Sequence, residues 1–246
     1  MLSLRYFFEK RLELHVIAAG SLIDFELESI SFPVGRVDFY YLYPLPFTEF
    51  ITAMGKEGLV KYCNEQIQYP QAIHNQLLSL LRDYTLIGGM LQVVREYAES
   101  GNLAECQNIQ SSIIETFTAD FPKYAKKNQI KCISTVFNAI PLQLGRKIKY
   151  SNISNLYKAR DLGAAFELLE KAGLLIPVYH TSANGMPLES EKNFKKFKAV
   201  FFDVGLALRV LHFPVNELLI NDDITLINEG GLAEQLVGQE LLAYSS

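Results

Sequence analysis

Two short apolar runs near the start of the chain place the strongest limits on its fold. The first is "LHVIAAGS" at residues 14–21, and the second is "VDFYYLYP" at residues 37–44. Apolar runs of this kind are typical of strands buried on both faces, as in a parallel sheet. Two such strands cannot cover both of their own faces, so more strands have to lie beside them. Only 13 residues precede the first run, and we therefore expect the chain to begin inside a domain.

The composition indicates a globular protein that does not bind nucleic acid through its overall charge. Of the 246 residues, 49% are hydrophobic and 20% are charged, and the net charge is −4. A local basic patch is compatible with this charge. No apolar run approaches the ~18 residues that span a bilayer, and the N-terminus lacks the pattern of a signal peptide. We expect a cytoplasmic protein without membrane segments, with buried, unpaired thiols at Cys63, Cys106 and Cys132.

The rest of the chain is predicted to contain two helical units and a hairpin. From Thr48 to about Tyr124, periodic apolar segments are followed by glycines such as Gly55 and Gly101, which commonly end helices. A second unit starts near Asn128 with helical segments, and the strands "LLIPVYHTS" and "FKKFKAVFFDV" then enclose a polar loop. Helices followed by such a hairpin predict a winged-helix arrangement. A last amphipathic helix lies within "EGGLAEQLVGQELLAYSS".

The sequence lacks the motifs that bind ATP and magnesium. A phosphate loop needs Gly-x-x-x-x-Gly-Lys-Ser/Thr, and the only Gly-Lys pair, Gly55-Lys56, is followed by Glu57 and has no glycine at the required distance before it. The strand "AVFFDV" resembles the magnesium-binding strand of ATPases with such a loop, but no glutamate follows Asp203. We predict instead that Asp203 caps the helix that begins "GLALRVL".

A series of motifs in fixed order resembles one family of proteins. The motifs are "HVIAAGS", "SFPVGRV", "YPLPFTEF", "YTLIGGM", "DFPKY", "VFNAIPLQL", "KYSNIS", "FKAVFFDVGL" and "GLAEQLVGQELLA". Together they resemble prokaryotic AAA+-type ATPases that carry a C-terminal domain of unknown function. The resemblance covers nearly the whole chain, although this chain has Leu91 where the family usually has proline after "GGM".

The resemblance implies a mixed α/β fold that is mostly helical. Residues 1–52 would be the C-terminal part of an AAA+ nucleotide-binding domain, and residues 53–125 a helical lid. Residues 126–216 would form a winged-helix-like domain, and residues 217–246 the start of a truncated endonuclease-like domain. The full-length relatives are ATP-dependent switches that use ATP and magnesium, whereas no cofactor is expected for this chain alone.

The resemblance also implies two residues that act on a nucleotide. Ser21 would be a sensor-one residue that meets the attacking water or the terminal phosphate. Arg36 would be an arginine finger that reaches the nucleotide of a neighbouring subunit, which implies self-association through the AAA+ part. The alternatives are that Ser21 only caps a turn and that Arg36 pairs with an acidic residue of the same loop, namely Asp24, Glu26 or Glu28.

A second hypothesis is that the chain is a nucleotide-independent winged-helix module that binds DNA or a protein partner. The candidate nucleic-acid residues are Lys147, Lys149, Lys195, Lys196 and Lys198, which could neutralise backbone phosphates. A solvated charged face is the alternative for these lysines. The acidic residues of the last helix, Glu234 and Glu240, are interpreted as surface positions.

Overall fold

The computed structural model describes most of the chain after residue 37. The described residues are 6–7, 9–11, 13–17, 19–20, 38–64, 70–185, 187–214 and 230–245. Over these ranges the fold is mixed α/β and mostly helical, as the sequence predicts. None of the helices in them is both long enough and apolar enough to cross a membrane.

The first half of the structure is a set of helices separated by glycines. The longest of its helices is capped by Asn102, whose side chain accepts hydrogen bonds from the backbone N–H groups of Ala104 and Glu105. Two other helices are each followed by a glycine with positive φ, namely Gly88 at 74° and Gly101 at 65°. Glycine suits these positions because residues with a side chain are strained at positive φ. The helices are α1 (Phe47–Ala53), α2 (Val60–Asn64), α3 (Gln71–Ile87), α4 (Leu91–Ser100) and α5 (Leu103–Tyr124).

The second half combines helices with one antiparallel hairpin. Strands β1 and β2 pair from Leu175 opposite Phe201 to Thr181 opposite Lys192. Tyr179 lies opposite Phe197 but His180 lies opposite Asn193, so residues 194–196 form a bulge in the second strand. The elements are α6 (Ile130–Ala139), α7 (Tyr150–Ile153), α8 (Ala159–Lys171), β1 (Leu175–Thr181), β2 (Lys192–Phe201), α9 (Val204–Val210) and α10 (Gly231–Tyr244).

One continuous apolar core joins both halves and the last helix. The rings of Phe121, Phe137 and Phe201 link α5, α6 and β2, with centroid distances of 5.7 and 5.2 Å. Burying an aromatic side chain of this size contributes about 2 kcal/mol to the free energy of unfolding. Helix α10 belongs to the same core because Leu232 is fully buried, and a Cβ at Gly238 would lie only 2.6 Å from a methyl carbon of Val200.

The two apolar runs that predicted strands do not form strands in the described residues. Residues 38–44 have no regular secondary structure, and Tyr40, Tyr41 and Leu42 are 88%, 60% and 98% exposed. In the first run, Ile17 is 96% exposed. A strand is stable only beside another strand, and none of the described residues pairs with these runs. The prediction of free thiols holds, but Cys63 is exposed whereas Cys106 and Cys132 are buried.

Gly205 gives a direct test of the packing between α3 and α9. A Cβ at this position would lie 2.6 Å from the backbone atoms of Ile87 and Gly88, which cannot rotate away. We expect Gly205→Ala to lower the free energy of unfolding by about 2 kcal/mol or more, because the two helices have to separate. Urea denaturation measures this change.

The matched control is Gly163→Ala in α8. Here the nearest atom to the new Cβ would be the Tyr150 hydroxyl at 3.5 Å, which is ordinary contact. Alanine has a higher helix propensity than glycine, so this variant should be as stable as the parent or more stable by about 0.5 kcal/mol. Equal stability of the two variants would contradict the close approach of α3 and α9.

Candidate functional site

The residues predicted to act on a nucleotide cannot be located in the structure. Ser21 and Arg36 lie outside the described residues. Their roles therefore stay predictions. The prediction for Asp203 is confirmed, because Asp203 is the N-cap of α9 and its Oδ1 accepts a hydrogen bond of 2.9 Å from the backbone N–H of Leu206.

The structure places four of the five candidate nucleic-acid lysines on β2 or in the segment beside it. The backbone N–H of Ile148 donates to the carbonyl oxygen of Phe197 at 2.9 Å, which sets residues 147–149 beside β2. Ile148 and Phe197 are both buried, whereas Lys147, Lys149 and Lys196 are exposed. Neighbouring residues of an extended segment point to opposite faces, so these lysines occupy the outer face. We call Lys147, Lys149, Lys196 and Lys198 the basic face; the side chain of Lys195 lies outside the described part.

The two acidic residues of α10 differ in their surroundings. Glu234 is 53% exposed and its Oε2 lies 2.5 Å from Nζ of Lys198. Glu240 is partly buried, whereas the sequence analysis interprets it as a surface position. Its Oε1 accepts a hydrogen bond of 2.8 Å from the backbone N–H of Phe47 and lies 3.2 Å from the Tyr84 hydroxyl. Helix α10 packs inward at this point, which a helical pattern alone does not reveal.

The buried polar centre of the molecule lies where α3 ends and α9 begins. Asp203 is fully buried, and its Oδ2 accepts a hydrogen bond of 2.7 Å from the backbone N–H of Gly89. A Cβ at Gly88 would lie 2.2 Å from Oδ1 of Asp203, and a Cβ at Gly89 would lie 2.3 Å from the carbonyl oxygen of Leu45. Glycine is therefore required at both positions, because Gly88 lies against Asp203 and Gly89 lies against Leu45.

Tyr84 extends this centre to the segment before α1. Its hydroxyl donates to the carbonyl oxygen of Leu45 at 2.7 Å and accepts from Nε2 of Gln239 at 2.9 Å. The backbone N–H of Leu45 in turn donates to the carbonyl oxygen of Gly89 at 2.8 Å. Together with the bond from Phe47 to Glu240, these contacts fix residues 45–47 against both α3 and α10.

Glutamine side chains complete the arrangement by binding backbone groups. Oε1 of Gln239 accepts from the backbone N–H of Val204 at 2.8 Å. Gln235 binds both the N–H and the carbonyl oxygen of Phe201, at 2.8 and 2.5 Å. Nε2 of Gln110 donates to the carbonyl oxygens of Leu86 and Ile87 at the end of α3. We call the set Leu45, Phe47, Tyr84, Gly89, Asp203, Gln239 and Glu240 the polar junction.

Burial changes the proton affinity of the ionisable groups in the polar junction. Burial raises the pKa of Asp203 to about 6, although hydrogen bonds from the backbone N–H groups of Gly89, Leu206 and Gly205 oppose the shift. Burial also raises the pKa of Glu240, and the bonds from Phe47 and Tyr84 again oppose it. The pKa of the Tyr84 phenol is raised by the same desolvation and by the nearby charge of Glu240.

The polar junction stabilises the fold and offers few groups for binding or catalysis. Its buried oxygens and nitrogens are paired with one another or with the backbone, so few groups remain to bind a substrate. In the part of the chain that the structure describes, no three His, Cys, Asp or Glu residues come together as metal ligands. A cavity of about 130 Å³ lies beside it, lined mostly by apolar residues that include Tyr43, Ile176 and Phe202.

The sequence pattern misses most of the polar junction. Glutamine side chains are not titratable, and on helices they are normally exposed, so the sequence gives no sign that Gln239 is buried. The sequence gives one indication of the polar junction. Gly88-Gly89 lies in the motif "YTLIGGM" and Asp203-Val204-Gly205 lies in the motif "FKAVFFDVGL", and both belong to the family resemblance. Only the structure shows that these motifs touch.

Comparison with known proteins gives one match. A family model described as "Domain of unknown function (DUF8612)" matches residues 78–217, which include Tyr84, Asp203 and the lysines of the basic face. No curated protein and no solved structure matches the chain. The resemblance to AAA+-type ATPases therefore stays a prediction.

Replacing Asp203 tests the polar junction. In Asp203→Asn one oxygen becomes an NH₂ group that cannot accept a hydrogen bond from Gly89 or Leu206. We expect the free energy of unfolding to fall by about 2–4 kcal/mol, because a buried donor then faces another donor. The exposed first-turn residue of α8 provides the control, and Asp161→Asn should change stability by no more than about 0.5 kcal/mol. If both variants lower the free energy of unfolding by similar amounts in urea denaturation, the hydrogen bonds of Asp203 do not make the predicted contribution to stability.

Proposed function

This chain belongs to the DUF8612 family, and we propose that it couples the nucleotide state of an AAA+-type switch to a protein partner. In this proposal the chain does not hydrolyse ATP by itself. The proposed nucleotide-sensing residues belong to the N-terminal part of the sequence, and the proposed winged-helix surface belongs to residues 126–216.

One observation carries this proposal, namely the fixation of residues 45–47. They follow the aromatic segment that begins after Arg36, and they are held by Gly89, Tyr84 and Glu240. A movement that reaches residues 45–47 therefore has to break these hydrogen bonds or move α3 and α10 with it. Packed elements of this kind change between discrete arrangements, which is the physical basis of a switch.

The winged-helix surface is proposed from the order of elements. Helices α6, α7 and α8 are followed by the hairpin β1–β2, and residue 148 adds a short third segment to its edge. The helix that would read DNA, α8, carries mixed charge. In and directly before α8, three basic residues (Lys158, Arg160, Lys171) are matched by three acidic ones (Asp161, Glu167, Glu170). A balanced surface favours a protein partner at α8 over the phosphate backbone of DNA.

The nucleotide in this proposal is bound by another subunit. The sequence contains no phosphate loop, so ATP and magnesium would be held by a neighbouring protein that supplies one. Arg36 is the residue proposed to reach that nucleotide, because a guanidinium stays charged and matches phosphate oxygens. Ser21 is the proposed sensor.

Nucleotide assays on the isolated chain test the first half of the proposal. We expect no phosphate release above the buffer blank with ATP and magnesium, and no binding of labelled ATP, because the sequence has no phosphate loop. Turnover that persists after further purification would contradict the proposal.

Hydrogen exchange tests the coupling itself. Tyr84→Phe removes the hydroxyl that joins Leu45, Gln239 and Glu240, with a cost of about 1–2 kcal/mol. We expect faster amide exchange at Leu45 and Phe47 and also at Val204, by about tenfold. Tyr150→Phe is the matched control and should leave these amides unchanged. Faster exchange confined to residues 45–47 would show that the segment is held locally and is not coupled to α9.

A further inference from the structure

The basic residues of the hairpin region are separated from acidic ones in the sequence. The stretches 142–149, 175–181 and 192–202 contain seven Lys or Arg residues and no Asp or Glu. In the chain as a whole, 27 acidic residues outnumber 23 basic ones. A locally positive surface on an acidic protein attracts anions despite the net charge.

The fold places these three stretches side by side. Strand β1 pairs with β2, and the backbone bond from Ile148 to Phe197 adds residues 147–149 on the other edge of β2. The inner face of this sheet is apolar, since Ile148 and Phe197 are buried and Phe197 packs on Phe166 with a centroid distance of 5.2 Å. The basic face is the outer side. Among the described residues, Lys147, Lys149 and Lys196 form no ion pair.

Among the residues that the structure describes, one acidic side chain forms an ion pair with the basic face. Glu234 in the first turn of α10 pairs with Lys198, which has 42% of its side chain exposed. The start of α10 is held close to this face, because a Cβ at Gly145 would lie 2.8 Å from the Cα of Gly231. The carboxylate of Glu234 thus occupies a position where an anionic ligand would otherwise meet Lys198.

We propose that the basic face is a binding site for the phosphate backbone of nucleic acid, and that Glu234 limits its strength. Lysine ammonium groups bind phosphates as point charges, without reading bases. Because point charges of this kind contact phosphates and not bases, we expect binding to be independent of sequence. The site differs from α8 and goes beyond the proposed coupling to a protein partner.

The salt dependence of binding measures the number of lysines that contact phosphates. With a fluorescent mixed-sequence duplex of about 24 base pairs and roughly 25 to 150 mM NaCl, three unpaired lysines predict a slope of log K against log salt near −3. The double variant Lys147→Gln and Lys149→Gln should bring the slope near −1. Glu234→Gln frees Lys198 and should steepen the slope of the parent protein by about 1.

Matched variants separate this site from helix α8. Lys158→Gln with Arg160→Gln on α8 removes the same charge as the double lysine variant and should leave the slope unchanged. Loss of binding in the α8 variant, with retention in the lysine variant, would overturn the proposal. Absence of duplex binding at the lowest salt would overturn it as well, and so would binding to anionic lipid vesicles without binding to the duplex. None of these assays contains ATP, so their failure leaves the proposed coupling unaffected.

Discussion

The carboxylate of Asp203 is the interaction on which the arrangement of the molecule depends. It is fully buried, and it receives hydrogen bonds from Gly89 at the end of α3 and from Leu206 in the first turn of α9. The backbone N–H groups at a helix N-terminus and in the glycine turn have no acceptor within their own element. The Asp203 carboxylate accepts hydrogen bonds from both. Because the Gly-Gly pair leaves no room for a side chain against Asp203 and Leu45, the two halves of the molecule can approach only with these residue types.

The polar junction joins stretches that are far apart in the chain. Leu45 and Phe47, the end of α3, the start of α9 and the inner side of α10 all meet there. A network of buried hydrogen bonds is costly when only part of it is satisfied, so its members are expected to form or break together. This property is what makes the polar junction suitable for coupling the segment after Arg36 to the hairpin region. The basic face is linked to the polar junction through α10, which contributes Glu234 to the basic face and Gln239 and Glu240 to the polar junction.

The sequence predicts those parts of the fold that depend on local signals. The helices, the glycines that end them, the hairpin after α8 and the cap at Asp203 follow from periodicity and residue type. The inward position of Glu240 could not be predicted, because it depends on the backbone of Phe47, which is 193 residues away. The aromatic segment before Pro44 has strand propensity but no neighbouring strand in the described residues, so propensity alone gives the wrong local structure there. The lysines of the basic face were identified from charge, whereas their common surface required the bond between Ile148 and Phe197.

The central claim is that the polar junction acts as one unit across distant parts of the chain. A double-mutant cycle in urea denaturation with Tyr84→Phe and Gln239→Leu measures this directly, because their side chains lie 2.9 Å apart and belong to α3 and α10. If the claim is correct, the free-energy changes of the two variants differ from additivity by about 1 kcal/mol or more. Additivity within about 0.3 kcal/mol would contradict it, since the two helices would then be held by independent contacts.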